Sequence, residues 1–148
     1  MELDIASLGW DAGFAAAYAR FDRPGYRPAR VTRVDRGVCA LLAADGAARA
    51  GVGGTLLGQA ARDPLALPCA GDWVVLCAWP DHRTTIEAVL PRRTLIVRAT
   101  AGGQSHGQLL AANVDHAAVV EPLDPEPLDR WLAAGYAAGM TWMVPAAP

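Results

Sequence analysis

A mainly β chain, with one short helix before a small barrel and an incomplete α/β element after it, is what three features of the sequence predict. Between Arg27 and Leu90 the residues fall into short runs of β character separated by turn residues. Gly51, Gly53 and Gly54 stand where a strand has to coil sharply, as in a small closed barrel. Beyond residue 113 the pattern changes to one buried run followed by helical spacing. The 148 residues, 53% apolar and 19% charged, suit one compact domain plus part of a second.

The first element is helical: Trp10, Phe14, Tyr18 and Phe21 recur at helical spacing, Ser7 or Asp11 can cap, and Pro24-Gly25 ends the segment. Three strands follow as a meander. They run Ala29–Arg36, Val38–Ala44 and Ala48–Leu57, with turns at Gly37 and Asp45-Gly46. A loop through Asp63-Pro64 and Pro68 leads to Gly71-Asp72 and then to Trp73–Trp79, apolar on both faces and therefore read as a central strand. Thr84–Leu90 is the fifth. Five such strands in so short a stretch predict a barrel of the OB type. The polar, Gly-rich stretch after Arg98 reads as a linker. Val114–Val120 then reads as a buried strand, Pro127 opens a helix carrying Leu128, Trp131, Leu132 and Tyr136 on one face, and Thr141–Val144 is a further short strand. Strand, helix, strand is a βαβ unit, which belongs to a parallel sheet. The domain boundaries expected are 1–26 for the N-terminal helical segment, 27–98 for the barrel, 99–112 for the linker and 113–148 for the start of the second domain.

Composition narrows the chemistry. All 13 basic residues are Arg, so the chain has no phosphate loop of the GxxxxGK[ST] type and no Schiff-base lysine. Cys39, Cys69 and Cys77 form no CxxC pair and read as reduced, buried thiols. His82, His106 and His116 are scattered, with no ligand at metal spacing, so no catalytic or metal site is assigned. Glu2 and Asp4 stand where a signal peptide would be positive, and a cytoplasmic chain is expected. The uncharged tail 131–148 has an apolar part of 14 residues, short of the roughly 20 that span a bilayer. It reads instead as sheet-burying structure that favours self-association. The net charge of -2 hides an asymmetry: residues 27–98 hold ten Arg against six acidic residues, whereas residues 113–148 hold one against five.

Five stretches in this order, LGWDAGF, RPARVTRVDRG, LPCAGDWVVL, IEAVLPRRTLIVR and QLLAANVDHAAVV, resemble the N-terminal part of the ribosome small subunit-dependent GTPase A family over roughly residues 8 to 140. The resemblance implies an OB barrel that binds the small ribosomal subunit, followed by a circularly permuted GTPase domain and a zinc domain. In such proteins Asn-Lys-x-Asp comes first in the GTPase domain. Here the corresponding place reads TWMVPAAP, so the expectation is an OB module followed by a truncated start of the GTPase domain. No cofactor is expected in this chain; GTP, Mg and Zn belong to complete members. The chain alone is expected not to hydrolyse GTP, which remains the competing function for a complete protein. A protein-binding OB domain without RNA affinity is the third reading.

The remaining candidate chemistry is a basic surface. Side chains alternate along a strand, so Arg27 and Arg33 share one face and Arg30 and Arg36 the other, unless a bulge intervenes. Arg92, Arg93 and Arg98 follow the fifth strand. Spacing alone makes all of these ordinary surface residues. The resemblance implies contacts to ribosomal RNA from Arg30, Arg33, Arg36, Arg92, Arg93 and Arg98. Trp73 and Trp79 share parity, and Trp73 reads as core; Gly102–Gly107 reads as a hinge, and Asn113 and Asp115 as residues that cap and connect.

Overall fold

The computed structural model describes residues 3–98, 108–116 and 144–145. Helix α1 (Ala12–Tyr18) precedes β1 (Tyr26–Asp35), β2 (Val38–Ala43), β3 (Gly46–Val52), α2 (Gly54–Ala60), β4 (Trp73–Ala78) and β5 (Thr84–Val89). The five strands close into a barrel in the order β1-β2-β3-β5-β4, with β3 and β5 parallel and the other pairs antiparallel. This is the OB-type barrel that the spacing predicts. A second sheet joins β6 (Thr94–Arg98) to β7 (Gln108–Ala112) on one side and β8 (Val144–Pro145) on the other.

Three local expectations change. The run Ala48–Leu57 is not one strand: β3 stops at Val52 and α2 begins at Gly54. The cause is a close backbone approach at Gly53, whose N–H donates to the Ile86 carbonyl and where a Cβ would lie 2.6 Å from Glu87 Oε1. The chain turns there and drops Leu56 onto the barrel core. Residues 108–112, expected as linker, are a strand paired with β6. Asn113 to His116 are not strand; the rest of the run to Val120, the helix from Leu128 and most of the tail lie outside the described residues. Of the strand expected over Thr141–Val144, Val144 lies in β8, antiparallel to β6, and the expected βαβ pairing lies outside the described residues. Among the described residues no helix is long and apolar enough to cross a membrane.

Alternation in β1 to β5 builds two cores. Val31, Leu41, Leu56, Val74, Leu76 and Ile86 fill the barrel together with Ala29, Ala43, Ala50 and Cys39. The small members matter because five strands enclose too narrow a lumen for large side chains in every layer. The opposite parity of β4 points outward and is covered by α1. Trp73, Val75 and Leu90 pack there against Phe14 and Tyr18, with Trp10 edge-on to Trp73 at 4.7 Å between ring centres. Trp73 is core, as expected. Asp11 caps α1, its Oδ1 accepting from the N–H groups of Gly13 and Phe14. All three cysteines are free and buried, and burial, reinforced by nearby Asp72, pushes the Cys69 thiol up to about 12.

The two sheets meet at Gly71-Asp72. Gly71 has φ +88°, and a Cβ there would lie 2.0 Å from the Ala112 carbonyl oxygen. Asp72 is fully buried, yet its carboxylate is matched by the bidentate guanidinium of Arg92, with both N···O distances 2.7 Å, and by the Cys69 N–H. Arg92 also donates to the carbonyls of Leu65 and Leu67. A buried charge that loses its partner is more costly than the intact pair is favourable. Arg92→Ala should therefore lower the unfolding free energy by about 3–5 kcal/mol, read as a fall in the urea midpoint, whereas Arg62→Ala on the exposed loop should leave it near the parent value.

Candidate nucleic-acid interface

A bulge between Val31 and Arg33 sets where the β1 arginines point. Without it, Arg30 and Arg33 would lie on opposite faces. With it, Arg30 pairs opposite Leu42 and Arg33 opposite Ala40, two positions of equal parity on β2, and both face outward. Continuing across β2, Ala40 stands opposite Arg49 of β3. Arg33 and Arg49 thus flank a small residue in one row on the outside of the barrel. Sequence reasoning missed Arg49. The signal was present in the Asp45-Gly46 turn, which fixes the β2–β3 register and so carries Arg49 opposite Ala40.

Arg36 completes this face. It and Gly37 form the β1–β2 turn with φ of +45° and +83°, the pair of positive values that a two-residue hairpin turn requires. Arg36 and Arg49 are exposed. Arg33 is also exposed and pairs with Asp35 at 2.7 Å, a contact between solvated groups that a phosphate could replace at little cost.

The other candidate arginines are elsewhere. Arg30 donates to the carbonyls of Leu8 and Asn113, tying the N-terminal segment and the second sheet to β1. Arg92 is engaged by Asp72, Leu65 and Leu67, so contacting a phosphate would require breaking a buried ion pair. Arg93 pairs with Asp11 and lies over the Phe14 ring at 4.1 Å. Arg98 is exposed at the end of β6, opposite Gln108 on the second sheet. Of the six, Arg33 and Arg36 share a surface, and Arg49 joins them.

A cavity of about 260 Å³ opens between α1, β1 and the second sheet, lined by Arg30, Trp73, Arg93, Thr94, Asn113 and Asp115 among others. Its polar groups are largely bonded to one another. Asn113, at φ +53°, accepts from Arg30 and from the Arg93 N–H, while its amide donates to the Gly71 carbonyl. Asn113 thus ties β1, the residue before β6 and Gly71 together, whereas the strand it was expected to cap is not formed at 113–116 and otherwise lies outside the described residues.

The chain is similar to several curated proteins. Proteins named small ribosomal subunit biogenesis GTPase RsgA are 41% identical in Streptomyces coelicolor over 139 residues, 36% in Opitutus terrae over 149 and 30% in Methanosarcina acetivorans over 136. These alignments cover 91%, 92% and 88% of the chain, but 37%, 40% and 35% of the relatives, so the chain spans well under half the length of the proteins it matches. No protein-family model matches the chain.

The Asp11–Arg93 pair has its own signature. The hydrogen bond from Arg93, followed by that from the Phe14 N–H, holds the Asp11 carboxyl at about 2. Because the folded value lies below the unfolded one, the stabilisation is present above about pH 4 and is lost as pH falls towards 2. Arg93→Ala should raise the Asp11 titration, followed by carboxyl NMR shifts, part of the way to the ordinary carboxylate range, with the Phe14 and Gly13 N–H groups still holding it lower, and should make the melting profile shallower between those pH values.

Proposed function

Because the chain belongs to the ribosome small subunit-dependent GTPase A family, we propose that its barrel is an RNA-binding module that docks on the small ribosomal subunit during maturation, in the cytoplasm. The observation that carries this reading is the outer row in which Arg33 and Arg49 flank Ala40 beside the Arg36 turn. Phosphates approach such a face because guanidiniums release condensed counterions from RNA. Ala40 between them keeps the floor low, so a backbone can lie across β1, β2 and β3. Arg30, Arg92 and Arg93 act behind this face by holding β1, β4 and α1 in place; Arg98 lies on the second sheet and offers a separate contact.

GTP hydrolysis, named in the relatives, is not assigned to these residues in this reading. The chain has no Lys for a phosphate loop or an Asn-Lys-x-Asp motif. Its own contribution is recognition.

Binding of the full chain to purified small subunits should weaken with salt, with a slope of log K against log salt of roughly -0.7 to -0.9 per phosphate contact. Arg33→Ala with Arg49→Ala should flatten the slope by about two contacts. Arg92→Ala should lower stability while leaving the slope of the folded fraction unchanged. Binding insensitive to salt and to the double substitution would identify a protein-binding barrel instead.

A further inference from the structure

Around the barrel from the Arg36 turn, one cross-strand row runs Asp35, Val38, Gly51 and Thr85 before it reaches Cys77, which is buried. Gly51 is the unexplained member. Its φ lies outside the left-handed region, and among the described residues a Cβ would meet nothing within 4 Å. Neither backbone conformation nor packing therefore asks for glycine in this strand, where glycine weakens pairing. With no bulge in the β2–β3 ladder at this point, such a glycine serves either the bend of the closed barrel or the close approach of another chain.

Trp79 stands beyond that gap. It is 42% exposed, unlike Trp73 at 1%. Its indole N–H donates to Thr85 Oγ1 at 2.7 Å, and the Thr85 hydroxyl in turn donates to Glu87. The turn that carries it is closed by Trp79 N–H to the Arg83 carbonyl at 2.9 Å and His82 N–H to the Trp79 carbonyl at 3.0 Å, with His82 at φ +64°. The ring is held in place before any ligand arrives. Thr85, to which it is tied, is two strand steps from Val38, about 10 Å at the spacing of paired strands. Arg49 precedes Gly51 by two residues and lies on the same face of β3.

We propose that this row is the track of a single-stranded RNA segment whose phosphates lie on Arg33, Arg36 and Arg49 and one of whose bases stacks on Trp79, with Gly51 bare so that the strand can pass. It rests on the RNA-binding reading above and specifies the form of RNA. Charge favours this occupant at the Arg36 end of the track, where three exposed guanidiniums stand against one carboxylate, that of Asp35 paired with Arg33. Aromatic stacking accepts any base, since each presents a π face. The bonded indole loses little freedom on binding.

The test uses the full chain, a fluorescein-labelled single-stranded RNA dodecamer and its abasic counterpart, with anisotropy read at several salt concentrations. Trp79→Ala should bind the dodecamer about tenfold more weakly with an unchanged salt slope, and Trp79→Phe should keep most of the affinity. Gly51→Ile should weaken binding while its circular dichroism and melting temperature stay at or above the parent's, because the added side chain enters open space. The abasic strand should bind the parent as weakly as the dodecamer binds Trp79→Ala. Parent-like binding by both Trp79→Ala and Gly51→Ile, alongside weakening by the Arg33→Ala, Arg49→Ala pair, would overturn the track and leave the RNA-binding reading standing. So would a parent that binds small subunits but not the dodecamer. A parent that binds neither would overturn both.

Discussion

The ion pair between Asp72 and Arg92 is the contact on which the arrangement of the rest depends. Asp72 stands immediately before β4, and Arg92 two residues before β6, so their bidentate contact fixes the start of the last strand pair against the exit from the barrel. Neither group would be stable there alone: a fully buried carboxylate needs compensating donors, and it has the guanidinium and the Cys69 N–H. The same guanidinium reaches the Leu65 and Leu67 carbonyls, so the loop between α2 and β4, which has few ladder partners, is also held. Gly71 adjoins this pair because the second sheet must pass within contact of its backbone, where the Ala112 N–H donates to the Ala70 carbonyl. The outer faces of β1 and β4 are positioned as a consequence.

From that frame, one extra residue in β1 decides what the basic surface is. The bulge between Val31 and Arg33 changes the parity of everything after it relative to β2, bringing Arg33 to the outer face already occupied by Arg30. Parity then sorts the neighbours. Val31, Leu41 and Ala50 turn inward, while Arg33, Ala40 and Arg49 form the outer row. The barrel could not close with arginines inward, since the lumen is filled by apolar side chains.

The parts legible in the sequence were those set by short-range rules. Aromatic spacing located α1, and the turns at Gly37 and Asp45-Gly46 located β1 to β3. The double-sided apolar run from Trp73 located β4, whose Trp73 and Val75 pack under α1 while Val74 and Leu76 fill the barrel. What was not legible depends on contacts distant in sequence. The ending of β3 at Val52 follows from Glu87 and Ile86 lying against Gly53, and nothing near Gly53 in the chain announces them. The strand Gln108–Ala112 exists because Thr94–Arg98 leaves the barrel and offers an edge. Of the candidate site, the charge of the segment was legible, whereas Arg33 and Arg36 were singled out through the family resemblance and placed on opposite faces. The bulge that gathers them was named only as a condition, and Arg49 was missed although its register follows from the turn before it.

A chain that uses only arginine as its cation puts one side chain to two uses, and burial tells them apart. A guanidinium presents donors in a rigid plane and suits both a buried carboxylate and a set of carbonyls, which a lysine ammonium would satisfy less well. Arg92, whose side chain is 11% exposed, and Arg30, half-buried on two carbonyls, serve in this way. Arg33 is 73% exposed at its side chain, and its Asp35 partner is itself half exposed, so water already competes for both. Solvated pairs of that kind contribute at most about 1 kcal/mol, and exchanging a carboxylate for a phosphate there costs little. Motif spacing treats all these arginines alike. The division between those that hold the barrel and those that can leave their partners arises only from which face of a strand each one occupies and what that face is packed against.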